Sequence, residues 1–338
     1  MTVEGEKKTV GLVWRDSAMC AIYTLTPTHC GIGQTAASVD LPVARDEATG
    51  FPVLPATALK GAAREYFEAT KVEERLTAAL FGPSLDRQED SSNSAKPLRA
   101  AGLAFTEGRL AAWPARSLNR PFLHVTCPLI IERLVRDARL LGREELAKPQ
   151  IEWLTERAYV GEKDMAGKAL VIEDLCFAGK EVLFAEEISE FAAALAALLP
   201  EAESDTAERL KRGLVVVPDA EFSDLLERTI PVVARTQLTG GKTTDTWYNP
   251  VEGRDESGNL WYEEYLPSDC LFISFIGQRR QVYMQNDTDG KHDIGVDDPI
   301  GKFLGIWKDL PFIQIGGNET VGYGLCLWNV SGRPGRKP

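Results

Sequence analysis

Asp40 stands between apolar neighbours in Val39-Asp40-Leu41-Pro42, eleven residues after His29. A carboxylate beside a phosphodiester can orient a nucleophile or hold a divalent cation, and the same residue can equally cap a loop. His29 opens the turn His29-Cys30-Gly31-Ile32-Gly33, where an imidazole is either a proton carrier or an ordinary strand-end histidine. Glu263 and Glu264 are adjacent in Leu260-Trp261-Tyr262-Glu263-Glu264-Tyr265. In a strand their side chains point to opposite faces, so only one can reach a shared site, with Tyr262 or Tyr265 nearby.

Two further groups suit anions. Thr57 is placed to cap a helix on which Lys60 and Arg64 lie four apart. Cations on its first turns, with the helix N-terminus, fit a phosphate backbone or a plain solvated face. The run Ile315-Gly316-Gly317-Asn318-Glu319-Thr320-Val321-Gly322-Tyr323-Gly324 has four glycines between two apolar strands. Exposed N–H groups without a Cβ shield can hold phosphate oxygens, or the loop is a tight strand connection. No G-K-[ST] follows, so it is not a P-loop, and dinucleotide spacing is missing. Arg235, Trp247, Tyr248, Trp261 and Tyr262 surround a polar tip over 239–259. Such a ribbon can stack on bases or clasp another subunit.

Positioning these residues falls to strands and helices in irregular alternation. Strand patterns cover Ala21–Thr26, Ala101–Phe105, Leu110–Trp113, Ala169–Phe177, Leu214–Val217, Cys270–Ile276, Phe312–Ile315 and Leu325–Val330. Leu59, Ala62, Ala63, Tyr66 and Phe67 form one apolar helix face. Further helices are predicted over Leu129–Leu141, Glu187–Leu199 and Pro299–Lys308, with a short one started by Asp219. The polar segment over 84–97 reads as a mobile surface loop, and 230–266 as a long protruding hairpin. Strands and helices without a βαβα series predict an α+β fold, a mostly antiparallel sheet with helices on one side.

Composition narrows the setting. The 338 residues are 44% hydrophobic, enough for a sizeable core, and carry a net charge of −12. That excludes a uniformly basic nucleic-acid coat but not a local basic groove. Twelve acids against three bases between Glu181 and Glu227 predict two or three solvated helices, whereas 101–150 has eight bases against five acids. The apolar stretch Ala192–Leu199 is far short of the ~20 residues of a membrane span. Met1–Lys8 is too polar for a secretory signal. An intracellular, cytoplasmic setting is expected, with six scattered cysteines reduced and mostly buried. Three separated histidines, His29, His124 and His292, argue against a structural zinc site.

In chain order, Tyr23–Gly33 (YTLTPTHCGIG), Ser38–Arg64 (SVDLPVARDEATGFPVLPATALKGAAR), Leu260–Asp269 (LWYEEYLPSD) and Ile313–Gly324 (IQIGGNETVGYG) resemble the RAMP superfamily of CRISPR RNA-binding proteins. More narrowly they look like the repeated backbone subunit of type III-B (Cmr-type) effector complexes. The middle of the chain, 84–227, fits in element order only.

The resemblance implies one domain over 1–338, with a modified ferredoxin-like (RRM-like) palm of about 17–70, 100–230 and 266–331 and a β-hairpin thumb. It implies a filament of copies along a guide CRISPR RNA, partnered by other type III effector subunits. It further implies cleavage of complementary target RNA at regular intervals with a divalent metal, Mg or Mn. Asp40 matches the family's catalytic aspartate, as base, water orienter or metal ligand, and His29 matches its histidine. Glu263, Glu264 and Tyr265 fall in the acidic-aromatic segment considered for a supporting catalytic role. Thr57 and Lys60 match the phosphate-binding helix start, with Thr in place of Ser, and Arg64 shares the cationic face of that helix with Lys60. Gly316, Gly317, Gly322 and Gly324 match the glycine-rich loop, and Arg235 belongs to the thumb. Two features depart from the family: a long tip over 240–259 and the acidic 181–227 segment. The rival readings are a non-catalytic guide-coating scaffold and, more remotely, a small-molecule enzyme using Glu263 or Glu264 with the glycine loop as a phosphate site.

Overall fold

A computed structural model describes residues 14–34, 38–83, 100–141, 146, 151–244, 246–251, 253–257, 260–279, 296, 298–307 and 312–332. The loop expected over 84–97 and His292 lie outside the described residues.

Strand β1 (Trp14–Thr24) is followed by the short β2 (Val53–Leu54) and helices α1 (Ala56–Ala69) and α2 (Glu74–Phe81). Next come β3 (Leu103–Phe105), β4 (Gly108–Arg116), β5 (Phe122–Thr126) and α3 (Pro128–Leu141). Short strands β6 (Ala158–Val160), β7 (Leu170–Ile172), β8 (Leu175–Phe177) and β9 (Val182–Phe184) precede α4 (Glu186–Ala196) and α5 (Ser204–Gly213). Then follow β10 (Leu214–Val216), α6 (Asp219–Thr229), β11 (Val232–Thr236), β12 (Thr246–Asn249), β13 (Arg254–Ser257) and β14 (Leu260–Glu264). The chain closes with β15 (Leu271–Arg279), α7 (Pro299–Trp307), β16 (Phe312–Gln314) and β17 (Leu325–Ser331).

Eleven strands form one sheet in the order β16-β17-β1-β15-β4-β5-β10-β6-β9, with β2 on β4 and β3 on β15. Pairing is antiparallel except for β5–β10 and β6–β9. β15 is buried at eight consecutive positions, the continuous apolar run of a strand covered on both faces. α1 buries Leu59, Ala62, Ala63 and Phe67, the face its spacing predicts. Phe67 stacks on Phe303 of α7, with ring centroids 5.3 Å apart, and Phe303 on Trp307 at 5.0 Å. The acidic 181–227 region holds α4, α5 and most of α6. No helix among the described residues is long and apolar enough to cross a membrane. All six cysteines are free thiols, and only Cys176 is exposed.

Three local expectations are corrected. α1 starts one residue before Thr57, after Pro55, and no side chain caps it; Pro55 sets the entry, and the Thr57 side chain is exposed. Asp219 does not cap α6 but lies inside its first turn, and its carboxylate accepts from the Leu129 N–H at the start of α3, 2.9 Å away. Ala169–Phe177 is not one strand but the hairpin β7–β8, turned at Glu173 with φ of 50°.

The ribbon expected over 230–266 is present. β11 and β14 pair from Val232↔Glu264 to Thr236↔Leu260, and β12 pairs β13 further along. Neither pair joins the eleven-stranded sheet.

Candidate catalytic and RNA-facing site

Four segments far apart in sequence meet beyond the end of β1. Thr28 and Leu266 exchange backbone hydrogen bonds of 2.9 and 2.8 Å. The Gly317 N–H donates to the His29 carbonyl at 2.9 Å, and the Gly324 N–H to that of Pro27 at 2.8 Å. Leu41 runs parallel to Glu263, and the Glu264 N–H donates to the Leu41 carbonyl at 3.0 Å. His29, Asp40, the base of the ribbon and the glycine loop are thus one backbone-bonded unit.

Asp40 is half-buried. Its Oδ2 accepts from the Tyr262 N–H at 2.8 Å. Among the described residues no group of three or more His, Cys, Asp or Glu is placed to share a metal ion. Asp40 would bring one carboxylate to a divalent ion, with phosphate oxygens and water supplying further ligands.

The His29 ring is largely enclosed. Nδ1 lies 2.7 Å from the Glu264 carbonyl. A carbonyl only accepts, so Nδ1 carries the proton and Nε2 is the free nitrogen of the neutral ring. A Cβ on Gly31 would lie 2.6 Å from that Nε2. Gly31 is thus small for the ring's sake, whereas Gly33 supplies a left-handed backbone, φ 96°. Cys30 is buried, which pushes its thiol up to about 12 and leaves it inert as a nucleophile.

The two glutamates diverge as the strand period requires. Glu264 accepts from the Val43 N–H at 3.0 Å and takes the Arg45 guanidinium on both oxygens at 3.0 Å, a structural clamp on the Asp40 loop. Glu263 is 1% exposed and faces the site. It pairs with Arg235 Nε, accepts from Asn318 Nδ2, and lies 3.6 Å from His29 Nδ1. Tyr265 packs edge-on to Tyr323, centroids 5.7 Å apart.

The RNA-facing candidates divide. Burial and the neighbouring Arg64 lower the pKa of Lys60. Arg64 itself pairs with Glu68 and donates to the Gly82 carbonyl at 3.1 Å. Arg235 does not project from the ribbon but turns inward, over the Tyr323 ring at 5.0 Å. In the glycine loop the N–H groups of Gly317, Gly322 and Gly324 already donate to protein carbonyls. Gly316 and Gly324 are left-handed and so close to the His29 and Ile315 carbonyls that a Cβ would sit 2.3 and 2.2 Å away. Gly316 lets the loop approach the His29 strand, and Gly324 lets the loop close back on Ile315; Gly317 and Gly322 are exposed. Sequence reasoning misses Asn318 and Tyr323 as site residues; a polar residue inside a glycine run beside a buried acid is the available signal.

A cleft of about 460 Å³ lies elsewhere, lined by Trp153, Tyr159, Glu132 and Asp219 among others and by none of the site residues.

An α+β palm bearing a hairpin thumb, with an acid, a histidine and a glycine-rich loop gathered at the thumb base, is the class that fold and site define. The sequence profile of the RAMP superfamily matches residues 21–326, and the chain belongs to that superfamily. The CRISPR system Cmr endoribonuclease Cmr4 of Pyrococcus furiosus is 30% identical over 309 residues, 91% of this chain and 93% of that one. The crystal structure of oligomeric Cmr4 from Pyrococcus furiosus superposes with TM-score 0.67 at 24% identity, covering 94% of this chain and 98% of that one. A chain of the type III-B Cmr-beta complex bound to cognate target RNA gives 0.66 at 18% identity, covering 94% and 98%. At these identities the structural likeness is one of fold: a modified ferredoxin-like palm with a hairpin thumb.

Proposed function

We propose that this protein is the backbone subunit of a type III-B CRISPR effector complex. It binds guide CRISPR RNA, assembles along it with its own copies and other type III subunits, and cuts complementary target RNA at regular intervals. The supporting observation is the end-to-end correspondence with a Cmr endoribonuclease, with Asp40 half-exposed at the base of the ribbon. Base pairing supplies specificity, so the protein need only hold A-form geometry and phosphates, and a net charge of −12 is no obstacle.

The chemistry proposed is transesterification. The ribose 2′-oxygen loses its proton, attacks the adjacent phosphorus, and the 5′-oxygen leaves with a proton. A regular A-form helix holds the 2′-oxygen out of line, so a nucleotide must be displaced, at a cost of a few kcal/mol that ribbon contacts offset. Asp40, indexed to the ribbon by Tyr262, orients or deprotonates the 2′-hydroxyl, and His29 Nε2 is the second proton carrier. A divalent ion held through Asp40 would neutralise charge developing on the phosphate. Lys60 meets the guide backbone.

The test is the fragment pattern of target RNA cut by assembled wild-type and Asp40-substituted particles. Evenly spaced products lost on substitution support the reading; evenly spaced products that survive it move the chemistry to another subunit.

A further inference from the structure

We infer that Asn318 of the glycine-rich loop is a positioning residue that fixes the His29 ring by occupying Glu263. The inference deepens the proposed function and rests on it, because it concerns the same site. His29 is gripped twice from this loop. Its carbonyl accepts from the Gly317 N–H at 2.9 Å, and its ring faces the carboxylate that the next residue, Asn318, holds.

The Glu263 carboxylate has three neighbours. Oε2 pairs with Arg235 Nε, Oε1 accepts from Asn318 Nδ2, and the same Oε1 lies 3.6 Å from His29 Nδ1. The His29 Nδ1–H does not go to that carboxylate; it donates to the Glu264 carbonyl at 2.7 Å. An ionised oxygen is ordinarily the stronger acceptor. It fails to capture the proton because Asn318 and Arg235 already hold it in place. Remove the Asn318 amide, and a buried Oε1 keeps one unsatisfied side with the His29 ring, 3.6 Å away, as a donor within reach. The carboxylate then swings toward Nδ1, the ring leaves the Glu264 carbonyl, and Nε2 moves with it. Displacements on the order of 1 Å at a reacting group are costly to rate.

Asn318 also suits its place. Its backbone is left-handed, φ 64° and ψ 28°, a region asparagine tolerates. Its carbonyl accepts from the N–H groups of Val321 and Tyr323 at 3.1 and 3.2 Å. Tyr323 in turn carries the Arg235 guanidinium over its ring. The loop therefore braces both partners of Glu263.

The experiment uses assembled particles with guide and target RNA, carrying Asn318→Gly, Glu263→Gln or both. Glycine keeps the left-handed backbone and removes only the amide. Readouts are the single-turnover cleavage rate at saturating target, target affinity, and the imidazole ¹⁵N spectrum of His29 in the full chain, assigned with His29→Gln. Asn318→Gly is expected to slow cleavage by about tenfold or more with target affinity preserved, and to shift the Nδ1 resonance. The effect is expected to be smaller in the Glu263→Gln background, whose neutral amide competes less for the ring proton. A wild-type rate with an unmoved Nδ1 resonance overturns the inference, as does a defect confined to affinity. Should Asn318→Gly fail to assemble, the ¹⁵N spectrum of His29 in the unassembled full chain, which needs no particle, answers the same question: an unmoved Nδ1 resonance overturns the inference. If wild-type particles do not cut target RNA at all, the functional reading fails while the ¹⁵N spectrum still tests the Asn318–Glu263–His29 relation.

Discussion

The main chain of Tyr262 grips Asp40 from two sides: its N–H donates to Asp40 Oδ2 at 2.8 Å, and its carbonyl accepts from the Asp40 N–H at 3.1 Å. A loop carboxylate is thereby tied to strand β14 of the ribbon, with Oδ1 not engaged in that contact.

This pairing separates charge from anchoring. Asp40→Asn keeps an acceptor for Tyr262, whereas Asp40→Ala removes it. Both substitutions are expected to reduce target cleavage by about 10²-fold or more while guide binding is retained. Only Asp40→Ala should raise hydrogen exchange at the Tyr262 amide. Cleavage by Asp40→Asn at the wild-type rate would exclude the carboxylate from the chemistry.

Lys60 is held at depressed pKa by burial and by Arg64, so the negative charge of an incoming phosphate offsets the cost of keeping the ammonium there. Lys60→Ala is expected to weaken guide binding and to lower the slope of log K against log salt by about 0.7, one phosphate's worth on a single strand. Arg64→Ala, by contrast, also removes the bond to the Gly82 carbonyl and should destabilise the fold. Titrations at several salt concentrations, with urea unfolding of each variant, check both.

The glycines of the loop are not equivalent. Gly322 is left-handed, and a Cβ there would meet nothing within 4 Å; Gly316 is also left-handed, but a Cβ there would lie 2.3 Å from the His29 carbonyl. Gly322→Ala is expected to cost about 1–2 kcal/mol, the strain of a left-handed alanine alone. Gly316→Ala must also push the loop off His29, so its unfolding midpoint in urea should fall further and cleavage should fall with it.

His124 gives the fold an acid limit. It is fully buried on β5, and burial, reinforced by Arg209, depresses its pKa to about 3. The Tyr23 hydroxyl donates to Asp269 Oδ1 at 2.7 Å, so His124 Nε2, 3.2 Å from that hydroxyl, is the donor to it. The unfolded chain takes up this proton near pH 6.5 and the folded chain only near 3. Between those values the unfolded state binds more protons, and stability falls on acidification by about 1.4 kcal/mol per pH unit from this group. His124→Gln should flatten that part of the dependence of unfolding free energy on pH, measured in urea between about pH 6.5 and 4.

Much of the architecture is legible locally. The α1 face, the β15 run, the ribbon and the V-D-x-P turn are set by side-chain period and by proline and glycine punctuation, which act within a few residues. The divergence of Glu263 and Glu264 follows from the strand period alone. Short strands such as β6 and β9, three residues each, leave too little periodicity to read, and β7–β8 splits at a turn that its residue types do not announce.

What only the tertiary structure decided are the partnerships. Arg235 looks like a projecting cation until Glu263 and Tyr323 are beside it. Thr57 looks like a cap until Pro55 sets the helix entry. The glycine run looks like a phosphate nest until its N–H groups are seen to be spent on Pro27 and His29. The His29 tautomer depends on a carbonyl 235 residues away. Hydrogen-bond partners of that kind are fixed by how the sheet brings strands together, and no local pattern of residue types encodes them.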